Sequence, residues 1–407
     1  MSYTNVALAV IPSGIKSNIV YSLIGGDMTF VRTSAATRRN KDGLIEYVPI
    51  GQPRLNYDGA IPHLLLEPQR SNELQYSEDF SNAYWTKTNV TVETDANIAP
   101  DGNTTADIMR ETTATGEHRI ARSSSFGGGG ASYTFSVFAK HNGTRLLNLF
   151  SGTSSRFAAN ANFDLVNGVV YSSPTGTATI EKYPNGWYRC SVTGESASSG
   201  SSTLVIRHRD ESLNPSYAGD LNEATYLWGA QLEEGAYVTS YIPRLDTVAA
   251  TRSADTCHSG TGDFNSNEGV LFAEIQAQND DPGANIYLGL SDGTASNMLI
   301  IRYTTDGLIQ IHNNGTSLSN RVFGDDLDLT QTIKVAVKYG TQTGDYKVYI
   351  NGTEQTVFGT FVAQDMTGLD SFDFTYPTGT LPFLGKVRQA VVFNSALTDS
   401  QLAELTR

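Results

Sequence analysis

The stretch Tyr133-Thr134-Phe135-Ser136-Val137-Phe138-Ala139-Lys140 decides the fold. Polar and apolar residues swap through it with a period of two. Side chains of an extended chain point to opposite faces in turn, so this pattern marks a half-buried β-strand. Lys334-Val335-Ala336-Val337-Lys338-Tyr339 repeats the pattern far downstream. Between such runs lies turn chemistry: Asp42-Gly43, Asn142-Gly143, Asn167-Gly168, Asp306-Gly307, Asn314-Gly315 and Asn351-Gly352. A two-residue hairpin of type I′ needs positive φ at both central positions, which Asn, Asp and Gly tolerate best. These pairs therefore predict two-residue hairpins between strands.

Helical periodicity is scarce. The C-terminal Leu397-Thr398-Asp399-Ser400-Gln401-Leu402-Ala403-Glu404-Leu405 is the exception. Thr398 and Gln401 have capping-box spacing, and Leu402 and Leu405 share a face, so one short closing helix is expected. Many short strands with frequent turns and one helix read as antiparallel β-sandwiches.

The 407 residues hold 39% hydrophobic side chains and 38 glycines, a globular composition. No apolar run approaches the ~18 residues of a membrane helix, which argues against membrane insertion. Met1-Ser2-Tyr3-Thr4-Asn5 lacks the basic start and apolar stretch of a secretory signal. Two cysteines, Cys190 and Cys257, make neither a disulfide framework nor a four-ligand zinc site. They are expected as buried free thiols. Net charge is −14, which argues against a nucleic-acid partner. The excess of acid sits in residues 260–407, with 17 Asp and Glu against 8 Lys and Arg.

Three regions are expected. Residues 1–72 form an extended segment with too little apolar surface to bury a core alone. Residues 73–245 hold all three tryptophans and the densest turn signals. Residues 246–259 form a linker, and residues 260–407 a second sandwich.

Three stretches carry a family resemblance. Asp27 to Arg38, Gly43-Leu44-Ile45-Glu46, Pro53 to Tyr57, Leu64 to Asn72 and Tyr76-Ser77-Glu78-Asp79-Phe80, in that order, resemble the N-terminal segment of many bacteriophage and prophage virion proteins of the tail or fibre type. Tyr226 to Gly235, Ser240-Tyr241-Ile242-Pro243 and Asn185-Gly186-Trp187-Tyr188-Arg189 are similar to the carbohydrate-binding-module-like jelly rolls that follow it. Val348 to Gly352, Leu384 to Asn394 and the terminal helix look like a concanavalin A-like, laminin G-type sandwich.

The resemblance completes the expected fold class: all-β, with an N-terminal extended segment, a jelly roll, a concanavalin A-like sandwich and one short C-terminal helix. It implies a structural protein of a phage appendage, made in the bacterial cytoplasm and placed in the virion. Such a protein has other virion proteins and host-surface polysaccharide as partners. A homo-oligomer, for instance a trimer, would multiply weak sugar contacts. No catalysis is expected and no cofactor is required, with calcium as a candidate ion. Two alternatives stand beside it: a capsid-decorating or head-fibre protein without ligand, and a polysaccharide lyase or hydrolase.

Sugars are held by aromatic faces and fixed polar groups. Trp85, Trp187, Tyr188 and Tyr217 are the stacking candidates, although strand alternation also suits Trp187 and Trp228 to a core. In Thr203-Leu204-Val205-Ile206-Arg207-His208-Arg209-Asp210, alternation sets Arg207 and Arg209 on one face and His208 on the other. Two guanidiniums side by side suit a sugar carboxylate or sulfate; a solvated face paired with Asp210 or Glu211 is the competing reading. Asp280, Asp281, Asp325, Asp326 and Asp328 are the calcium candidates, against a solvated acidic loop. Gln310-Ile311-His312 occurs in alginate lyases of this sandwich type. The Arg-rich and Tyr/Lys-rich companion strands are missing here.

Overall fold

The computed structural model describes residues 5–12, 15–16, 19–143, 146–152, 155–278, 286–303, 309–313, 321–322, 327–341, 345–355, 357–358 and 367–407. It is an all-β chain closed by one short helix, Asp399–Leu405. The chain folds into two compact units.

One unit comprises residues 36–47 and 69–252. Its body is two six-stranded antiparallel sheets. The first runs in the order Thr86–Thr88, Arg119–Phe126, Gly200–Arg209, Leu146–Ser151, Asn160–Asp164, Val169–Thr175. The second runs Val90–Asn97, Ala106–Glu111, Ala224–Glu234, Ala131–Asn142, Trp187–Ser196, Thr177–Lys182. Alternate residues meet in a core: Ile120, Leu147, Leu149 and Ile206 from one sheet, Met109, Phe135, Val137 and Val192 from the other. The decisive stretch is a central strand, paired on both sides over most of its length. Its even-numbered Phe138 faces the other way, into a second apolar cluster with Trp187, Trp228, Tyr183 and Tyr241. Ile45, from the hairpin of residues 36–47, joins that cluster, so the second sheet is buried on both faces.

Gly229 permits this double burial. The register steps from Ser136↔Gln231 to Phe138↔Trp228, leaving one extra residue in Ala224–Glu234. Gly229 in this bulge has φ +62°, a left-handed conformation that glycine adopts without strain. A Cβ there would stand 2.9 Å from the Phe138 ring.

The other unit comprises residues 1–35, 48–68 and 253–407. Its eight-stranded sheet includes Ile333–Gly340, Glu268–Ala277 and Gly385–Phe393 from the C-terminal part. Val6–Val10, Ile61–Leu66 and Arg54–Asp58 extend that sheet from the N-terminal part. Leu8, Met28, Phe30, Leu64 and Leu66 share a core with Leu271, Ile275, Leu290, Ile301, Val335 and Phe372. The opposite face of the large sheet presents Val270, Phe272 and Val391, and Leu402 of the helix packs with them. Thr398 caps that helix: its hydroxyl accepts from Gln401 N at 3.4 Å, and its own N–H donates to Gln401 Oε1 at 2.9 Å.

The boundaries differ from those read in the sequence. Residues 1–72 are not a separate segment, because their strands complete sheets in both units. Residues 246–259 are not a plain linker. Ala250–Arg252 pairs with Arg70–Asn72, and Thr256–His258 pairs with Met28–Val31. A strand with too little apolar surface of its own gains burial only by joining a larger sheet.

Of the expected hairpins, Asn351-Gly352 forms one. Its φ values are +48° and +85°, and Ile350 pairs with Thr353. Asn167-Gly168 ends a longer loop, closed by Gly168 N on Asp164 O at 2.9 Å. Asn142 ends a strand of the second sheet and Leu146 begins one of the first, so Asn142-Gly143 marks a crossing between sheets. Asp306-Gly307 and Asn314-Gly315 lie outside the described residues.

Candidate functional site

The strand Gly200–Arg209 alternates as the sequence predicts. Arg207 lies over the Phe150 ring at 4.5 Å, while His208 turns to the other face and meets Glu111. Glu111 ends Ala106–Glu111 of the opposite sheet, so the two strand ends bring these side chains together. The short ribbon pairing Thr115–Gly116 with Tyr217–Ala218 lies close by in the chain. Here opens a pocket of about 370 Å³. Glu111, Arg209, Asp210, Tyr217, Asp220 and Glu223 line it.

Glu111 is the best-determined group in the pocket. It is 1% exposed. Its Oε1 accepts from the Tyr217 hydroxyl at 2.6 Å and faces His208 Nδ1 at 3.0 Å. Its Oε2 accepts from the Asp220 N–H at 3.0 Å. Burial pushes the carboxyl upward, but the bonds from His208, Tyr217 and Asp220 outweigh it and hold Glu111 below its ordinary range. An ionised carboxylate only accepts, so His208 carries its proton on Nδ1. Tyr217 is held protonated, because burial and then Glu111 push its hydroxyl upward. Its ring packs against His118 at 4.8 Å between centroids.

The two arginines do not form an open pair. Arg207 is 5% exposed. Its Nε donates to Asn148 Oδ1 at 2.8 Å, and its Nη1 to Glu117 Oε1 at 2.6 Å. Burial and then the neighbouring Arg209 bring its pKa down to about 10. Arg209 lines the pocket and gives Nη1 to the Leu213 carbonyl at 2.7 Å. Asp210 orders the adjoining loop by accepting from Asn214 N at 2.7 Å and Ser212 N at 3.0 Å.

The tryptophan candidates lie elsewhere. Trp85 and Trp187 are each 1% exposed. The Trp85 indole N–H donates to Tyr76 O at 3.1 Å, and that of Trp187 to Ile98 O at 2.9 Å. Trp228 is buried too, against Tyr241 at 4.6 Å. None offers a ring face to a sugar. Tyr188 is half-buried and packs at the edge of the core, under the turn at Gly168.

Of the calcium candidates, Asp280, Asp281, Asp325 and Asp326 lie outside the described residues. Asp328 is exposed and accepts from Thr330 N at 2.9 Å and from the Thr330 hydroxyl. Among the described residues no group of three or more His, Cys, Asp or Glu is placed to hold a metal ion. The side chain of His312 is outside the described residues. Cys190 and Cys257 are buried free thiols, and burial pushes both upward.

The structure thus joins Arg209 and Tyr217 in one pocket and leaves Trp85, Trp187 and Tyr188 out of it. Reading the sequence missed Glu111 and Glu223. Arg209 and Asp210, at the end of the alternating strand, and Tyr217 were the local signals of this site.

No family model matches the chain. No curated protein matches it either. Among solved structures, it is similar to the CBM40 of Ruminococcus gnavus IT-sialidase bound to α2,3-sialyllactose, at 18% identity and a TM-score of 0.30, covering 35% of this chain and 84% of that one. The same module bound to α2,6-sialyllactose matches at 20% identity and a TM-score of 0.29, covering 35% and 85%. Trypanosoma rangeli sialidase matches at 11% identity and a TM-score of 0.29, covering 93% of this chain and 65% of that one. These are likenesses of β-sandwich architecture, and no residue role is carried across from them. They correct one expectation. Absence of catalysis does not stand, because enzymes are among the solved structures the chain resembles.

Proposed function

We propose that this chain is a carbohydrate-binding appendage protein of a virion and that its sugar site is the pocket walled by Glu111, Arg209, Tyr217, Asp220 and Glu223. The observation that carries the reading is the fixed state of Glu111. A buried carboxylate, oriented by Tyr217, Asp220 and His208, is a prepared acceptor for a sugar hydroxyl. The half-buried Tyr217 offers an apolar ring beside it. Volume is consistent: about 370 Å³ lies at the lower end of small-ligand pockets, which run from about 300 to 1,000 Å³.

The virion setting rests on the residue order from Asp27 to Phe80. The ligand there is host-surface polysaccharide, bound weakly at each site and strongly by many copies.

The test is binding of the purified full chain to a glycan array and to host cells, beside Tyr217→Ala. Glycan retention by the parent and its loss in the variant support the site. A parent that binds no glycan, or a variant that binds equally well, refutes it. Immunogold labelling of virions tests the setting, and virions that carry no gold refute it.

A further inference from the structure

We infer that His118 is a positioning residue of this pocket, holding Tyr217 in place for the sugar while its ring is charged, so that glycan affinity falls as pH rises; the inference rests on the glycan-binding reading above.

The observation is a ring set between two acceptors. His118 is fully buried. Its Nδ1 faces the Asn89 carbonyl at 2.9 Å and its Nε2 the Tyr217 carbonyl at 3.3 Å. The Asn89 carbonyl also accepts from the Thr112 N–H and hydroxyl. A neutral imidazole has one N–H, and its other nitrogen presents a lone pair. Whichever tautomer it takes, neutral His118 sets that lone pair against a carbonyl oxygen. The imidazolium donates to both carbonyls. Its charge also gains from the Tyr217 ring, 4.8 Å away between centroids. A buried charge needs such partners.

The shorter contact, to Asn89, keeps the single proton of the neutral ring. Loss of the charge therefore releases the Tyr217 carbonyl. Tyr217 offers its ring to the sugar, and its hydroxyl orients Glu111 at 2.6 Å. A less firmly held Tyr217 must be ordered by the ligand, and that ordering costs affinity.

The charged and titratable groups around the ring leave this contact in control. Glu117, beside His118 in the chain, pairs with Arg207 and Arg119. Lys87, on the strand before Asn89, donates to the Asn82 carbonyl at 2.7 Å. Gly219 closes over the ring, where a Cβ would stand 2.3 Å from Cε1, and Asp220 follows with its N–H on Glu111. Glu111 is held below its ordinary range and stays ionised from pH 5 to pH 8. Tyr217 keeps its proton. His208, whose backbone N–H binds the His118 carbonyl at 3.0 Å, gives Nδ1–H to Glu111 in either charge state.

The experiment is isothermal titration of the full chain with the array glycan that the parent retains best, from pH 5 to pH 8, the interval in which imidazoles change charge. Buffers of different ionisation enthalpy count the protons taken up. Parent affinity should be at least about fivefold weaker at pH 8 than at pH 5, with proton uptake on binding. His118→Gln donates at every pH, so its affinity should not vary with pH and it should take up no proton. His118→Phe keeps a ring and donates nothing, so it should bind weakly throughout. The parent gives a second readout that needs no variant. Imidazole nitrogen resonances of the nitrogen-15-labelled chain, with glycan bound at pH 5, should show both His118 nitrogens protonated. A neutral ring there, a flat parent profile, or a pH dependence that survives in His118→Gln overturns the inference and leaves glycan binding standing. No binding at any pH refutes glycan binding itself, and this regulation with it.

Discussion

Arg32 and Asp255 form an ion pair at 3.2 Å with both side chains wholly excluded from solvent. The pair is half of a balanced cluster. The other carboxylate oxygen of Asp255 accepts from Arg54 and from the Glu67 N–H, and Arg54 also pairs with Glu67 at 2.5 Å. Arg32 further donates to the carbonyls of Ser34, Gln52 and Pro49. Two buried guanidiniums and two buried carboxylates thereby tie residues 32, 54 and 67 to residue 255.

Breaking this cluster on one side leaves uncompensated buried charge. Asp255→Ala should therefore destabilise the unit by about 3–5 kcal/mol. Urea unfolding of the full chain, followed by far-ultraviolet circular dichroism, measures it. A change within ±0.5 kcal/mol would show that the cluster is not holding the N-terminal strands in place.

Stability of the other unit should fall as pH rises from 5 to 8. Burial pushes the Glu78 carboxyl up to about 7 and that of Asp107 up to about 6. In the unfolded chain both titrate near 4. The folded state then binds more protons than the unfolded one between those limits, so ΔG of unfolding decreases with pH. The stabilisation is complete below pH 4 and is lost as pH passes 7. For Glu78 the effect is on the order of 2 kcal/mol. Thermal unfolding at pH 5 and pH 8 should show the drop in the parent and a smaller one in Glu78→Gln. An equal drop in both would exclude Glu78 as its source.

The tryptophans should report packing rather than ligand. Trp187→Ala removes a ring from the buried cluster that includes Ile45, Phe138 and Trp228, at a cost of about 3–5 kcal/mol. Parent fluorescence should be blue-shifted and resist iodide quenching, because all three indoles are 1% exposed. Saturating glycan should leave it unchanged. Strong quenching by a bound sugar would place a tryptophan in the sugar site.

In the pocket, Tyr217→Phe keeps the ring and removes the bond to Glu111. Glycan affinity should fall about tenfold, or ~1.4 kcal/mol, with no loss of fold. Isothermal titration with the best array glycan measures it. Unchanged affinity would mean that orientation of Glu111 does not matter for binding.

Much of the β architecture was legible in short stretches. The alternation of residues 133–140 specifies a strand because neighbouring side chains point to opposite faces. Asn351-Gly352 specifies a tight hairpin because both residues tolerate positive φ. Thr398 and Gln401 specify a helix start because each side chain reaches the other's backbone N–H. Alternation also separated His208 from Arg207 and Arg209. These are interactions within a few residues, and the amino-acid sequence alone determines them.

Partners across long separations are another matter. Asp255 meets Arg32 across 223 residues, and Tyr217 meets Glu111 across 106. Strand order decides such meetings, and an edge accepts many candidate strands whose local patterns are equally good. The tertiary structure alone distributes residues 1–72 between two units and buries Trp85. It commits Arg207 to Glu117 and Asn148, and it sets Glu111 beside Tyr217 as a prepared acceptor. The physical reason is common to all four: burial and charge pairing are properties of the assembled sheets, and no single strand carries them.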